Sequence, residues 1–281
     1  MWDFEHPPAN AALAQRYQLH YTHPAQCAIE LHEGRADLGL IPIAALTPSL
    51  AIVPGCAIAS PDHVRSIQLI IKVPVRQKYE QLAPNQTHDA LASIRTIAAD
   101  TASLSSLAYA QILFHKFIGA HPAFLPAPAD PIAMLTHADA ALLIGDPALL
   151  ALEARNHIEA QPNIGPCLWL DLAHEWRTRT RLPWVAAVWA IRTEALVNSA
   201  TTETQLIEDL QHSRNRGLAH IDRLVAEWAQ RIALPPATIR HYLTRNISYT
   251  LTLDCIATIE LFRRYAAEAN ILPPLPTLRF L

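Results

Sequence analysis

Two long apolar runs, residues 67–73 and 184–191, bracket a block in which short apolar segments alternate with helical ones. Apolar runs of this kind, bounded by turn residues, are typical of buried strands. Strands that alternate with helices indicate an α/β fold with mostly parallel sheets. A block that the chain enters on one long strand and leaves on another fits two lobes joined by two hinge strands. The sequence therefore predicts one lobe of residues 1–70 and 188–281, a second lobe of residues 71–187, and a ligand cleft between them.

The composition of the 281-residue chain narrows the class of protein. The chain is 51% hydrophobic and carries a net charge of −3. This balance argues against nucleic acid as the main partner, because phosphate binding requires clustered Lys and Arg. No apolar run approaches the roughly 20 residues that a membrane helix needs, and the first residues lack the pattern of a signal peptide. We therefore expect a cytoplasmic globular protein with no nucleic-acid or membrane partner.

Several common catalytic motifs are missing from the sequence. Its seven glycines form neither a GxGxxG nor a P-loop pattern, and it contains no HExxH, no GxSxG and no CxxC pair. What remains is a set of hydroxyl, glycine and carboxylate residues that follow predicted strands or begin predicted helices, where open α/β sheets bind ligands. These residues are Ser66, Asp100, Thr101, Ser103, Ser105, Gly145 and Asp146. They predict a site for a small anionic molecule.

The stretch of residues 94–117 is interpreted as a strand, a tight turn and a helix. Its turn contains Thr101, Ser103 and Ser105. The first amides of a helix and the helix dipole favour an anion, and hydroxyl groups add donors. Ordinary helix capping by Ser and Thr is the alternative interpretation of the same residues.

Seven ordered stretches carry a resemblance that spans nearly the whole chain. They are GRADLGLIP at 34–42, VRS at 64–66, DTASLSS at 100–106, ADAALLIGDPAL at 138–149, DLAHEWR at 171–177, LPWVAAVW at 182–189 and YLTRNISY at 242–249. Each motif alone is weak, but their order and spacing match one family. The chain resembles the chorismate dehydratases of the futalosine route to menaquinone.

The resemblance implies a periplasmic-binding-protein type II fold and the dehydration of chorismate to 3-[(1-carboxyvinyl)oxy]benzoate, with no cofactor and no metal. It implies that Ser66 hydrogen-bonds the substrate. It also implies that Thr101 and Ala102, with Ser103 and Ser105 beside them, bind a carboxylate. Gly145 and Asp146 are expected to line the cleft on the other side. In the mechanism proposed for the family, the substrate's own side-chain carboxylate takes the proton; Asp146 is the alternative base.

Two departures from the family pattern affect these expectations. Leu104 stands where the family carries an arginine, so binding of a dianion must depend on amides, hydroxyls or Arg65. The family also begins with a strand and a Tyr/Phe-Leu-Asn-x-x-Pro segment whose Asn is catalytic. That segment has no counterpart here, and we expect the chain as it stands to be poorly active or unstable.

Two other functions stay open on the same fold. The sister enzyme, 1,4-dihydroxy-6-naphthoate synthase, carries a His where Gly145 stands in this chain. A solute-binding or ligand-sensing protein would need no catalytic residue at all.

Overall fold

The structure is a computed structural model that describes residues 1–73, 84–100, 104–197, 199, 201–275 and 277–281, without the side chains of residues 84–87. It divides into two compact units. The first contains Met1–Ala59, Val185–Glu260 and Leu275–Leu281, and the second contains Ser60–Trp184 and Leu261–Pro274. Within the described ranges, no helix is both long and apolar enough to cross a bilayer.

The strands and helices alternate along much of the chain. The strands are β1 (Leu38–Pro42), β2 (Leu50–Ser60), β3 (Ile67–Lys72), β4 (Thr96–Ala99), β5 (Ala123–Pro126), β6 (Ala140–Ile144), β7 (Cys167–Asp171) and β8 (Trp184–Arg192). The helices are α1 (Trp2–Glu5), α2 (Ala9–Leu13), α3 (Pro24–His32), α4 (Pro84–Ser93), α5 (Leu104–Ile112), α6 (Pro131–His137), α7 (Asp146–Glu153), α8 (Arg155–Glu159), α9 (Leu172–Thr180), α10 (Glu203–Ala219), α11 (Ile221–Ala229), α12 (Pro236–His241) and α13 (Leu253–Glu268). Short π-helical turns follow α5 and α12, at Leu113–Ile118 and Tyr242–Asn246.

The first unit is built around a three-stranded sheet with the order β1-β8-β2. β1 runs antiparallel to β8, with Leu38 opposite Ile191. Apolar side chains from this sheet and from α1, α2 and α10 form its core: Phe4, Leu13, Ala51, Val53, Cys56, Ile191, Leu206 and Leu210. Burying these side chains supplies the main stabilisation of the unit.

The second unit contains a five-stranded sheet with the order β5-β4-β6-β3-β7. β4 runs parallel to both β5 and β6, whereas β3 runs antiparallel to both β6 and β7. Helices α6 and α7 pack on the sheet through a core that includes Met134, Leu135, Ala148 and Ala151.

The α/β class is as predicted, but the sheets are mixed and not mostly parallel: β4 pairs in parallel with β5 and β6, whereas β1 with β8 and β3 with β6 and β7 are antiparallel. The alternation of strands and helices gives β4, β5, β6 and β7 a common direction. β3 is inserted between β6 and β7 and runs against both. No local feature of the sequence around β3 signals this insertion, since pairing is decided by strands far away in the chain.

The boundaries of the units differ from the predicted lobes 1–70 with 188–281 and 71–187. The first segment of the first unit ends at Ala59, so β3 lies wholly in the second unit. Residues 261–274 also belong to the second unit. The chain passes between units at the end of β2, at the start of β8, within α13 and after Pro274. The cleft between lobes stays a prediction.

Candidate active site

Four chain segments meet at one edge of the five-stranded sheet in the second unit. The register places Ile67, at the start of β3, opposite Ile144, at the end of β6. Ala99, at the end of β4, lies opposite Leu142 of β6, and Asp171, at the end of β7, lies opposite Gln68. The residues that flank these ends are therefore neighbours in space although they are far apart in the sequence.

The predicted residues Ser66 and Gly145 lie side by side at this edge. The amide of Gly145 donates a hydrogen bond of 2.7 Å to the Ser66 carbonyl. Ser66 is buried, with 6% of its surface exposed. Nearby, the Asp100 amide donates to the Leu142 carbonyl at 3.0 Å, and the Asp100 residue is also buried. A hydroxyl and a carboxylate thus flank the ends of β3 and β4.

Gly145 and Asp146 form the junction between β6 and α7. Gly145 adopts φ 71° and ψ −142°, a conformation that L side chains rarely take. No described atom lies within 4 Å of the position that a Cβ would occupy, so the glycine leaves open space beside the backbone. Asp146 begins α7 as an exposed residue, and partial desolvation of its carboxyl raises the pKa of that group. The junction can therefore admit a ligand atom close to the backbone.

A carboxylate that sequence analysis did not single out holds the loop before β3. Asp171 is buried, and its two oxygens accept the amides of Val64 at 3.2 Å and Arg65 at 2.6 Å. The same side chain caps α9 by accepting the amides of Ala173 at 3.0 Å and His174 at 3.3 Å. Burial raises the pKa of Asp171, and these backbone donors oppose the rise. One side chain thus joins the start of α9 to the loop that carries Ser66.

The Asp171 contacts support a strained backbone at Arg65. Arg65 has φ 63°, in the left-handed region that a residue with a Cβ seldom adopts. Its amide is held by Asp171, and its carbonyl accepts the Gln68 side-chain amide at 3.1 Å. Strain of this kind persists where the surrounding structure fixes it, and it is concentrated at functional sites. The conformation sets the direction of both Arg65 and Ser66.

The Arg65 side chain offers positive charge next to this loop. It is partly exposed, and its guanidinium lies 3.8 Å from Glu153 of α7, a distance at which an exposed pair contributes little. Among the residues that the structure describes, its buried Nε has no hydrogen-bond partner. Because it carries this donor and this charge, Arg65 is better suited to attract a carboxylate than the other described residues at this edge of the sheet.

The other residues that the sequence predicts to bind substrate are either outside the described part of the chain or buried. Thr101, Ala102 and Ser103 lie outside the described residues, so the predicted anion-binding turn stays a prediction. Ser105, in the first turn of α5, is fully buried, whereas Leu104 is 43% exposed. A role for Ser105 in substrate binding likewise stays a prediction.

The arrangement combines hydrogen-bond donors, one arginine and two buried carboxylates. Such a set can orient an anionic molecule and exclude water from it. The chemistry then depends on how the bound molecule is positioned.

Comparison with solved structures identifies the class of fold. A structural-genomics protein from Archaeoglobus fulgidus superposes with a TM-score of 0.63 at 13% identity, covering 96% of this chain and 94% of that chain. The periplasmic aliphatic sulphonate binding protein of Escherichia coli superposes with a TM-score of 0.60 at 16% identity, covering 94% and 88%. The protein thus has a periplasmic-binding-protein-like α/β fold, and the prediction of that fold is confirmed.

Sequence comparison identifies the family within this class. The model of a family described as menaquinone biosynthesis matches residues 3–268. The chain belongs to this family. A chorismate dehydratase from Thermus thermophilus is 29% identical over 209 residues, which cover 72% of this chain and 68% of that protein. The predicted family resemblance is confirmed.

Proposed function

We propose that this protein is a chorismate dehydratase that converts chorismate to 3-[(1-carboxyvinyl)oxy]benzoate and water in menaquinone biosynthesis. One observation carries the specific reaction, namely the similarity to the chorismate dehydratase of Thermus thermophilus within a family of menaquinone biosynthesis proteins. The donors around Ser66 support the proposal, since chorismate is a small dianion that such groups can bind.

The reaction is a 1,2-elimination that makes an aromatic ring. A proton leaves the ring carbon that bears the enolpyruvyl ether, and the electron pair of that C–H bond forms the new ring double bond. The hydroxyl on the neighbouring carbon departs and takes up a proton to leave as water. Because aromatisation supplies the driving force, the protein has mainly to orient the substrate and exclude solvent.

The described residues have distinct roles in this proposal. The Ser66 hydroxyl hydrogen-bonds the substrate, and Arg65 attracts one of its carboxylates. The open backbone at Gly145 lets the ring approach. The substrate's side-chain carboxylate accepts the ring proton, and Asp146, with its raised pKa, is the alternative acceptor. Thr101 and Ala102, which lie outside the described residues, are proposed from the family resemblance to bind the second carboxylate.

The same proposal covers the setting of the reaction. We propose that it takes place in the cytoplasm and requires neither a cofactor nor a catalytic metal. Turnover measured after dialysis against a chelator is expected to equal turnover before dialysis. A loss of activity that returns only when metal is added would contradict this part of the proposal.

A kinetic experiment tests the proposal at its central residue. The chain is incubated with chorismate, and the benzoate product is identified by chromatography and mass. Ser66→Ala is expected to lower kcat at least tenfold, which corresponds to about 1.4 kcal/mol of barrier. The control Ser93→Ala changes an exposed serine whose hydroxyl donates to the Ala90 carbonyl, and it is expected to leave kcat unchanged.

Two results would overturn the proposal in different ways. Equal kcat for the two variants would remove Ser66 from the mechanism. Binding of chorismate by the wild-type chain without any turnover would instead indicate a ligand-binding protein of the same fold.

A further inference from the structure

Two histidines and an aspartate converge on the surface of the second unit, outside the proposed active site. Asp62 and His63 lie in the loop between β2 and β3, and His174 lies in the first turn of α9. All three side chains are substantially exposed, with side-chain values of 51%, 51% and 41%. An incoming ion can therefore reach them from solvent.

The three side chains direct their polar atoms at one another. The Nδ1 atom of His174 lies 2.7 Å from one Asp62 oxygen, and the Nδ1 atom of His63 lies 2.9 Å from the other. The two imidazole rings stack with centroids 4.1 Å apart. One nitrogen or oxygen from each residue lies within 4.8 Å of the other two. Two ring nitrogens and one carboxylate thus lie close enough together to bind one ion.

The backbone holds the two ligand-bearing segments in place. Asp171 Oδ1 accepts the amide of Val64, which follows His63, and it also accepts the amide of His174. The loop and the helix are thereby fixed to one buried carboxylate. Fixed backbone positions lower the entropy cost of bringing the three side chains together on an ion.

A hydroxyl on the next turn of α9 lies close to the second nitrogen of one of the rings. Thr178 Oγ1 lies 3.5 Å from His174 Nε2. Histidines that bind metals usually have their second ring nitrogen engaged in this way, which fixes the ring and its tautomer. The contact leaves Nδ1 of His174 directed at the cluster.

We propose that Asp62, His63 and His174 form a binding site for a divalent transition metal ion such as Zn²⁺. Two imidazoles and one carboxylate suit Zn²⁺, Ni²⁺ or Co²⁺ and not the oxygen-preferring Mg²⁺ and Ca²⁺. Tetrahedral coordination at about 2.0–2.1 Å separates ligand atoms by roughly 3.4 Å. The present distances of 2.7 and 2.9 Å are those of hydrogen bonds, so binding an ion requires the two stacked rings to turn apart and the distances to widen, which exposed side chains allow.

A bound ion would stabilise the second unit and would keep one coordination position open. It cross-links the loop before Arg65 and Ser66 to α9, so it stabilises the folded state of the second unit. Three protein ligands leave a fourth position for water. The proposed metal site does not depend on the proposed dehydratase activity, and the two proposals are tested separately.

Calorimetry on the full chain tests the site. Protein without an affinity tag is stripped of metal and titrated with ZnCl2, and one saturable site is expected. Asp62→Asn and His174→Gln are each expected to weaken binding at least tenfold. His137→Gln, which removes an exposed histidine at the end of α6, is the matched control and is expected to bind like the wild type.

The binding of other cations and the change in Tm distinguish a specific metal site from nonspecific binding of Zn²⁺ to the surface. MgCl2 and CaCl2 are expected to show no saturable binding. A hundredfold excess of Zn²⁺ over the wild-type Kd is expected to raise Tm by about 5 °C in the wild type and in His137→Gln, and by at most about half as much in Asp62→Asn and His174→Gln. Circular dichroism of the metal-free variants verifies that they fold. Wild-type Zn²⁺ affinity in the folded Asp62→Asn and His174→Gln variants, or no saturable site in the wild type, would overturn the proposal.

Discussion

At the scale of single residues, the most consequential contact is the one that Asp171 makes with the loop before β3. Its carboxylate holds the amides of Val64 and Arg65 on one side and caps α9 on the other. The left-handed backbone at Arg65 depends on these contacts. Asp171 is therefore a positioning residue, since it acts on the substrate only through the orientation of Arg65 and Ser66.

The first prediction concerns Asp171→Asn. The amide keeps one acceptor oxygen and replaces the other with a donor group, which faces backbone amides that also donate. We expect the free energy of unfolding to fall by about 1–3 kcal/mol, and kcat to fall more than KM rises. Urea midpoints and steady-state kinetics measure the two effects.

Asp130→Asn is the matched control for that change. Asp130 also caps a helix of the second unit, where it accepts the amides of Ile132 and Ala133, so these partners belong to its own helix and not to the loop before β3. Its loss is expected to cost no more than about 1 kcal/mol and to leave kcat unchanged. Similar kinetics for the two variants would contradict the positioning role of Asp171.

The second prediction uses two aspartates whose pKa values shift in opposite directions on folding. Partial desolvation raises the pKa of Asp146 above its ordinary value of 3.8. Desolvation also opposes ionisation of Asp139, but hydrogen bonds from the Arg95 and Thr96 amides hold the pKa of Asp139 below that value. Compared with the unfolded state, the folded state therefore favours the protonated form of Asp146 and the ionised form of Asp139.

The sign of each effect follows from proton linkage. A raised pKa means that the folded state binds more protons than the unfolded state, so Asp146 lowers stability as pH rises from about 3.8 upward. Asp139 contributes stability above its ordinary pKa of 3.8 and loses it as pH falls through the lower folded pKa. Urea unfolding of Asp146→Asn and Asp139→Asn across pH, each compared with the wild type, measures both. Differences of the same sign in the two variants would refute the assignment.

At the scale of elements, the strands could be predicted from the sequence better than their directions could. The run at 67–73 and the alternation after it predict β3 and the units of strand and helix that follow, because apolar runs and turn residues are local signals. The insertion of β3 between β6 and β7 could not be predicted, since it depends on partners that lie far away in the chain.

The site shows the same division between local and distant signals. Ser66, Gly145 and Asp146 could be identified because they flank predicted strands. Asp171 was missed because its partners Val64 and Arg65 lie 107 and 106 residues away and are backbone amides, which carry no side-chain signature. The family resemblance includes the motif at 171–177, but it does not indicate that Asp171 holds the loop before β3.

The third prediction concerns β2, which the structure shows as one continuous strand. Gly55 lies within it with φ 91°, and a Cβ at this residue would lie 2.2 Å from Gln211 Nε2 on α10. The Gly55 carbonyl also accepts a hydrogen bond from Arg214. Gly55→Ala is expected to lower the free energy of unfolding by about 1–3 kcal/mol, from backbone strain and crowding together.

A second substitution separates the two causes. Gln211→Ala in the Gly55→Ala background removes the crowding and leaves the strain, so stability is expected to recover in part. The double-mutant cycle from urea unfolding gives the coupling energy. Full additivity of the two changes would show that the Gln211 side chain is not in contact with residue 55.

At the scale of the whole molecule, the protein has a periplasmic-binding-protein-like fold and belongs to a menaquinone biosynthesis family. The same architecture serves binding proteins such as the sulphonate binding protein of Escherichia coli, so the fold alone does not identify an enzyme. What distinguishes catalysis from binding is whether a bound chorismate loses water. The central claim is that this chain performs that elimination.

The most direct measurement follows an isotope through that step. Chorismate labelled with deuterium on the ring carbon that bears the enolpyruvyl ether is incubated with the chain, and the product is analysed by mass. The proposed elimination predicts a benzoate that carries no deuterium and is lighter than the labelled substrate by one HDO. Unchanged chorismate, or a product that retains the deuterium, would contradict it.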